Sequence, residues 1–392
     1  MGTWGKTHFI KNGIIVTLLV FLLSVVIISF YKNGINQNEP ATEKENNSTE
    51  TTEIHETEEK INPIKYRRIS EKIEGVKQEI NILEIDLKHG LVEIFPVLSH
   101  DLIFGFEKLS SMALRHKAYA AVNGGFFYEY GEPAGMVIIH GELITNSTGK
   151  YPVFMTDGKK AELKELASRV WIEINGRKLY IDGINVEGGP GDIVIYTPYF
   201  GLTNRAEEKN KTAIVENGVV KEVVSTASET SIPKNGFLIT MFDDLKDYVK
   251  DHIDIKIDIG ENITFGIDPD LVENVQAYEC GSWIVKDGNI VIGKTDEWIG
   301  VLTNRDPRTV LGLKDSHTVV LLTVDGRQPG YSAGFTAEEL GRFLLSQGIK
   351  DAAMLDGGAS TEMIIEGNII NKPSFKGEER PLCGGIVVRY LD

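Results

Sequence analysis

The sequence predicts an α+β fold: one globular body built on a large mixed β-sheet of many short strands, with a C-terminal βαβ crossover, behind a single N-terminal transmembrane helix. Three observations predict it. Residues 12–31 carry no charge and residues 14–30 are almost wholly apolar, enough helix to cross a hydrocarbon core of about 30 Å. Residues 153–240 are a succession of short β-type runs separated by Gly, Asn, Asp and Pro. Residues 318–355 read as strand, helix, strand.

Lys6 and Lys11 precede the apolar run and only Lys32 follows it closely. The positive-inside tendency therefore puts residues 1–12 in the cytoplasm, 13–31 in the cell membrane as a single pass, and the rest outside the cell. The run exceeds a usual signal-peptide core and no small-x-small site follows it, which favours an uncleaved anchor over a cleaved secretory signal. Residues 32–61 form an acidic tether. Between Glu39 and Lys60 stand eight Glu and two Lys among Thr, Asn and Ser, with too little apolar surface to offset the entropy of ordering.

Residues 62–392 make the body, within which 151–303 is a candidate β-rich subdomain. The chain carries a net charge of −16, and with the tether at −6 and residues 1–38 at +3, the body holds −13. A body of that charge does not grip nucleic-acid phosphates by electrostatics alone. Its acidity is first a matter of solubility. Two cysteines exclude a disulfide-dense scaffold, and no C-x-x-C pair offers a zinc site. Cys280 and Cys383 form a disulfide only if the fold brings them within reach. The eight histidines are scattered, and no nucleophile elbow, Walker loop or dinucleotide fingerprint is present. The chemistry must rest on carboxylates, arginines, hydroxyls and backbone.

Along the body, 79–87 reads as a half-buried strand, Lys88-His89-Gly90 as a turn and 91–97 as the hairpin partner. Residues 110–116 read as helix, and 118–122 as a short strand running into Asn123-Gly124-Gly125. Further strands are expected at 170–174, 178–181, 192–196, 212–215, 219–224 and 237–240. Near the C-terminus, 318–324 is a continuous apolar strand, Thr336 and Glu339 form a capping box, Leu340, Phe343 and Leu344 share a helical face, Gly348 stops the helix, and 352–355 is another buried strand. Such a unit implies a right-handed parallel crossover of adjacent strands, whose following loops, Asp325-Gly326-Arg327 and Asp356-Gly357-Gly358, open on one edge of the sheet.

Asp325 and Asp356 are the first candidates for chemistry: two aspartates leaving parallel strands, each followed by Gly, let carboxylates point into a cleft while the backbone approaches a ligand. Capping a turn is the commoner task for Asp before Gly. Arg308 and Arg327 offer planar forks suited to phosphate or carboxylate. Arg305 reads instead as an ion-pair partner of Asp306. In Asn123-Gly124-Gly125-Phe126-Phe127, the amide, the Gly124 and Gly125 N–H groups and the Phe126 ring suit a sugar or its phosphate. At least one of the two rings is expected in the core. Ser360 and Thr361, followed by Glu362, are candidates for binding oxyanions or for capping.

Read together, these stretches resemble the phosphodiester glycosidase family. The similar stretches are Ala121-Val122-Asn123-Gly124-Gly125-Phe126-Phe127; Pro307-Arg308-Thr309-Val310-Leu311-Gly312; Val324-Asp325-Gly326-Arg327-Gln328 through Ser332, Gly334 and Thr336; Leu355-Asp356-Gly357-Gly358-Ala359-Ser360-Thr361; and Asn371-Lys372-Pro373-Ser374 before Glu379-Arg380-Pro381. The resemblance covers most of the chain from about Val76 onward. Two departures stand out: Ala359 where the family has Gly, and Cys280 where bacterial relatives carry a small residue.

The resemblance implies hydrolysis of the glycosidic C1–O bond of a sugar 1-phosphodiester, such as a GlcNAc 1-phosphodiester, on extracellular or envelope glycopolymers. Asp356, Asp325 and Asn123 would be catalytic, with substrate bound by Arg308, Arg327, Gly124, Gly125, Phe126, Ser360 and Thr361. Which Asp is nucleophile or base, and retention against inversion, depend on a carboxylate separation that the sequence leaves open. Two rivals remain: a metal-dependent phosphodiesterase with the aspartates holding a divalent cation, and a non-catalytic envelope-polysaccharide binder or assembly protein. The expected partners are the sugar-phosphate or glycopolymer substrate and the membrane, with no nucleic acid.

Overall fold

The strand Val76–Asp86 buries side chains on both of its faces, and this organises the fold. Ile80 and Ile82 pack with Val310, Leu322, Leu340 and Phe343, while Leu83 and Ile85 pack with Leu311, Leu321, Val122 and Ile386. The computed structural model describes residues 62–243 and 256–391. The expected anchor (13–31) and tether (32–61) lie outside the described residues. No described helix is long and apolar enough to cross a membrane.

The central sheet has seven strands in the order Ile64–Ile73, Val76–Asp86, Thr318–Val324, Arg308–Asp315, Asp351–Met354, Trp283–Lys286, Asn289–Ile290, every neighbouring pair antiparallel. The helix Ala337–Ser346 supplies Leu340, Phe343 and Leu344 to one face. A five-stranded antiparallel sheet, Asn368–Ile369, Met363–Ile365, Ala120–Asn123, Gly384–Tyr390, Val92–Leu98, supplies the other through Ala120, Val122, Ile386 and Val388. Residues 61–392 form one compact unit. Strands from within 151–303 pair beyond that range: Gln276–Glu279 with Val137–Ile139, and Trp283–Lys286 with Asp351–Met354.

The α+β expectation is overturned. The described residues are mostly β, 47% strand against 7% helix, with two α-helices among them, Leu109–Arg115 and Ala337–Ser346. Instead of one large mixed sheet there are several, almost wholly antiparallel. The continuous apolar run at 318–324 correctly signals burial on both faces, a pattern typical of parallel sheets between helix layers. Here a second antiparallel sheet covers the second face. The expected crossover changes accordingly: Thr318–Val324 and Asp351–Met354 run parallel but are not neighbours, because Arg308–Asp315 lies between them, antiparallel to both.

The hairpin expected at 79–97 also dissolves. The turn forms, with Gly90 N–H donating to Leu87 O at 3.2 Å, but Val76–Asp86 joins the central sheet while Val92–Leu98 pairs with Gly384–Tyr390. Long-range pairing outweighs the local signal, because a strand's packing context overrides its local preference. The capping box is present: the Thr336 hydroxyl accepts from Glu339 N–H and the Glu339 carboxylate from Thr336 N–H. Cys280 and Cys383 are both buried free thiols.

Candidate functional site

Strand register places the site. Arg308 pairs with Val324 and Val310 with Met354, so the strand ends that deliver Asp325 and Asp356 flank the start of the Arg308 strand on one sheet edge. Two inter-strand spacings separate the aspartate-bearing strands, roughly 10 Å. The glycine after each aspartate serves a packing need. A Cβ at Gly326 would stand 2.6 Å from Pro307 N, and one at Gly357 2.9 Å from Pro307 O. These glycines admit the protein's own backbone, which wedges Asp306-Pro307 between the two loops.

That wedge carries the site's charge. Arg308 is 2% exposed; its Nε donates to Phe335 O and its Nη2 to Asn304 O, both at 3.1 Å, and Asp306 Oδ2 stands 4.0 Å from Nη2. Burial lowers the Arg308 pKa; Asp306 opposes the shift and neighbouring Arg327 adds to it. Arg327 donates from Nε to Asp306 Oδ1 at 2.7 Å, and its Nη atoms lie against Gly358, 3.1 and 3.2 Å from where a Cβ would be. One carboxylate thus serves two guanidinium groups. Among the described residues, Nη1 of Arg308 and both Nη atoms of Arg327 have no hydrogen-bond partner. Such a pair is suited to an anion.

The two aspartates differ. Asp325 is 1% exposed, and its carboxylate accepts from Asn371 Nδ2 (3.0 Å), the Tyr331 hydroxyl (3.1 Å) and Lys372 N–H (3.0 and 3.2 Å to its two oxygens). Burial raises its pKa and these donors oppose the rise. Asp356 is half-buried, with the Ser360 hydroxyl and the Gly357 N–H near enough to its carboxylate to favour the ionised form. Its pKa is also raised by burial, opposed by those groups and by the charge of Arg380. Arg380 Nη1 donates to Ser360 Oγ at 2.8 Å, so a chain runs from Arg380 through Ser360 to Asp356.

Asn123 is fully buried and its side chain is saturated. It donates to Gly124 O (3.0 Å) and Asp356 O (2.7 Å) and accepts from the Thr309 hydroxyl (2.7 Å) and Glu362 N–H (3.1 Å). It joins three strand ends and fixes the backbone of Asp356. The Gly124 N–H donates to Gly384 O and the Gly125 N–H to the Tyr278 hydroxyl. Both amides are therefore occupied. Phe126 is buried and stacks on Trp298, centroids 5.6 Å apart and planes 7° apart. Thr361 is buried and its hydroxyl has no partner. Arg305 pairs with Glu339 rather than Asp306, and that contact holds the Glu339 carboxyl down to about 2.

Asp306 and Arg380 also belong to the site; Arg380 stands inside the stretches that carry the resemblance, and Asp306 directly precedes one of them. Their signal is three-dimensional: Asp306 counts because two arginines meet it, Arg380 because it reaches Ser360 from a loop twenty residues on. Glu362 is fully buried; its Oε1 accepts Arg380 N–H at 2.5 Å while Oε2 has no partner. Burial pushes its pKa up to about 8, with Glu379 adding to the rise and Arg380 and Lys108 opposing it. Among the described residues no three His, Cys, Asp or Glu gather as metal ligands. Asp325, its oxygens already facing N–H and O–H donors, does not fit the cation site of the metal reading.

Residues 209–389 match the family model described as phosphodiester glycosidase. A stretch of 116 residues is 34% identical to the SPbeta prophage-derived uncharacterized protein YomE of Bacillus subtilis (strain 168), covering 30% of this chain and 18% of YomE. Among solved structures, a hypothetical protein from Synechocystis aligns with TM-score 0.67 at 18% identity over 84% of this chain and 62% of its own. A Burkholderia pseudomallei K96243 protein described as exported aligns with TM-score 0.64 at 21% identity over 80% and 74%. At these identities the two structures speak for the fold.

Proposed function

We propose that this chain, whose residues 209–389 match the phosphodiester glycosidase family model, hydrolyses the C1–O bond of a sugar 1-phosphodiester at the sheet edge that carries Arg308, Arg327 and Asp356. The observation that supports this most is the pair of guanidinium groups sharing the single carboxylate of Asp306. Two positive charges against one negative leave an anion site, and the dry surroundings of Arg308 strengthen its pull.

C1–O cleavage expels a phosphate, which departs without much protonation. Charge on the leaving group therefore matters more than a strong general acid. Arg308 and Arg327 take the phosphate oxygens. Asp356, the less fully hydrogen-bonded of the two carboxylates, either attacks C1 or takes the proton of the water that does; the C1–O electron pair leaves with the phosphate. Ser360 and Arg380 favour the ionised carboxylate this step needs. Asn123 acts through the backbone it holds. The anchor expected at 13–31 would keep the domain against envelope glycopolymers.

The test incubates the full chain, and its Asp356→Asn variant, with GlcNAc 1-(methyl phosphate), and follows products by proton and phosphorus NMR. In 18O-labelled water, free GlcNAc and label-free methyl phosphate are expected, both absent with the variant; label in the methyl phosphate would mean attack at phosphorus. GlcNAc 1-phosphate and methanol would mean P–O cleavage and overturn the reading. No turnover, with binding lost in Arg308→Ala, would mark a binding protein instead.

A further inference from the structure

The fold also holds a cleft of about 800 Å³ that the proposed hydrolysis does not use. Its volume falls at the upper end of the roughly 300–1,000 Å³ usual for small-ligand sites, room for more than one sugar ring. None of Arg308, Arg327, Asp325 or Asp356 lines it. Aromatic rings connect the two places. Phe126 stacks on Trp298, and Trp298 meets Tyr128 edge-on at 5.4 Å. Tyr128 is 54% exposed and Tyr130 66%, and both line the cleft.

The cleft carries an excess of negative charge. Its charged lining is Glu132, Glu187, Glu207 and Glu208 against Arg205, whose guanidinium lies 4.1 Å over the Phe104 ring. Glu132 also accepts Tyr130 N–H at 3.0 Å, which steadies the loop that presents the two tyrosines. Exposed tyrosine rings beside carboxylate acceptors suit the apolar faces and hydroxyl or amino groups of sugars. An excess of carboxylates repels anionic sugars and phosphates.

We infer that this cleft binds a neutral or amino-sugar oligosaccharide, so that the substrate is a glycan chain lying along Tyr128 and Tyr130 with its terminal C1-phosphate at Arg308 and Arg327. The assignment of the phosphate end rests on the proposed hydrolysis; the cleft's preference for sugar over anion does not.

The test titrates the full chain calorimetrically with chitotetraose, the glucosamine tetramer, tetragalacturonate and tetralysine. The first two are expected to bind and the third not, and Tyr130→Ala, at an exposed position that leaves the melting temperature unchanged, is expected to weaken binding at least tenfold. Absence of binding by both chito-oligomers at millimolar concentration, equal binding of tetragalacturonate, tighter binding of tetralysine than of the glycans, or unaltered affinity in Tyr130→Ala would each overturn the inference. Hydrolysis of the one-sugar diester without oligosaccharide binding would sink the cleft alone. Oligosaccharide binding without hydrolysis would keep the cleft as a glycan site and sink the catalytic reading.

Discussion

The loops at 325–328 and 356–360 begin alike, strand then Asp-Gly, and end in different circumstances. Asp325 is enclosed by Asn371, Lys372 and Tyr331, which satisfy its carboxylate; Asp356 stays half-buried, held by Ser360 and Gly357. The C-terminal loop accounts for the difference. Asn371 and Lys372 close onto Asp325, whereas Ser374 and Arg380 approach the other loop at Gly358 O and Ser360 Oγ and do not hydrogen-bond the Asp356 carboxylate. A shared motif therefore yields one clamp and one presented carboxylate, and the partners, not the motif, decide which is which.

The sharpest way to break this contrast is to neutralise each aspartate. Asp356→Asn should lower turnover of the diester by on the order of 10³-fold or more with little change in thermal midpoint. Asp325→Asn turns an acceptor toward donors, and should cost about 1–3 kcal/mol of stability, read in urea unfolding, with a smaller loss of activity per folded molecule. The reverse pattern would exchange their roles. The arginines sharpen it next. Arg308→Ala should reduce kcat/KM by roughly 10²–10³-fold, the usual cost of losing a charge-stabilising donor in a dry site. Arg327→Ala should reduce it by about tenfold, since its ion pair with Asp306 is largely exposed. Equal losses would contradict the dominance of the buried cation.

The smallest effect concerns Glu362 behind the Asp356 loop. Its folded pKa of about 8 lies above the ordinary 4.5, so its protonated form is favoured by folding. That contribution is complete below the ordinary value and is lost as pH rises toward and through about 8. Melting temperatures of the full chain and Glu362→Gln between pH 5 and 9 should diverge accordingly, with the variant losing less on the alkaline side. Parallel curves would remove Glu362 from the account.

How far the site was legible can be argued from single residues. Asp356, Arg308 and Arg327 stood out as charged groups beside strand ends, and strand register does bring them to one edge. Asn123 stood out too, yet its amide is consumed by Thr309, Glu362 and two carbonyls, contacts contributed by segments up to 239 residues away. Arg305 was assigned the neighbour next to it in sequence, while the structure gives it Glu339 on the facing helix.

By itself the sequence determined several strands, Thr318–Val324 and Ile193–Tyr196 among them, the capping box at Thr336 and the edge on which the chemistry-bearing loops gather, because periodicity, turn residues and caps act within a few residues of one another. Only the tertiary structure decided that the second face of the central sheet is covered by another sheet, that Arg308–Asp315 lies between the two aspartate strands, and that Asp325 is enclosed while Asp356 is not. Those outcomes depend on which distant segments bury surface and hydrogen bonds together, and an apolar run looks the same whichever layer covers it.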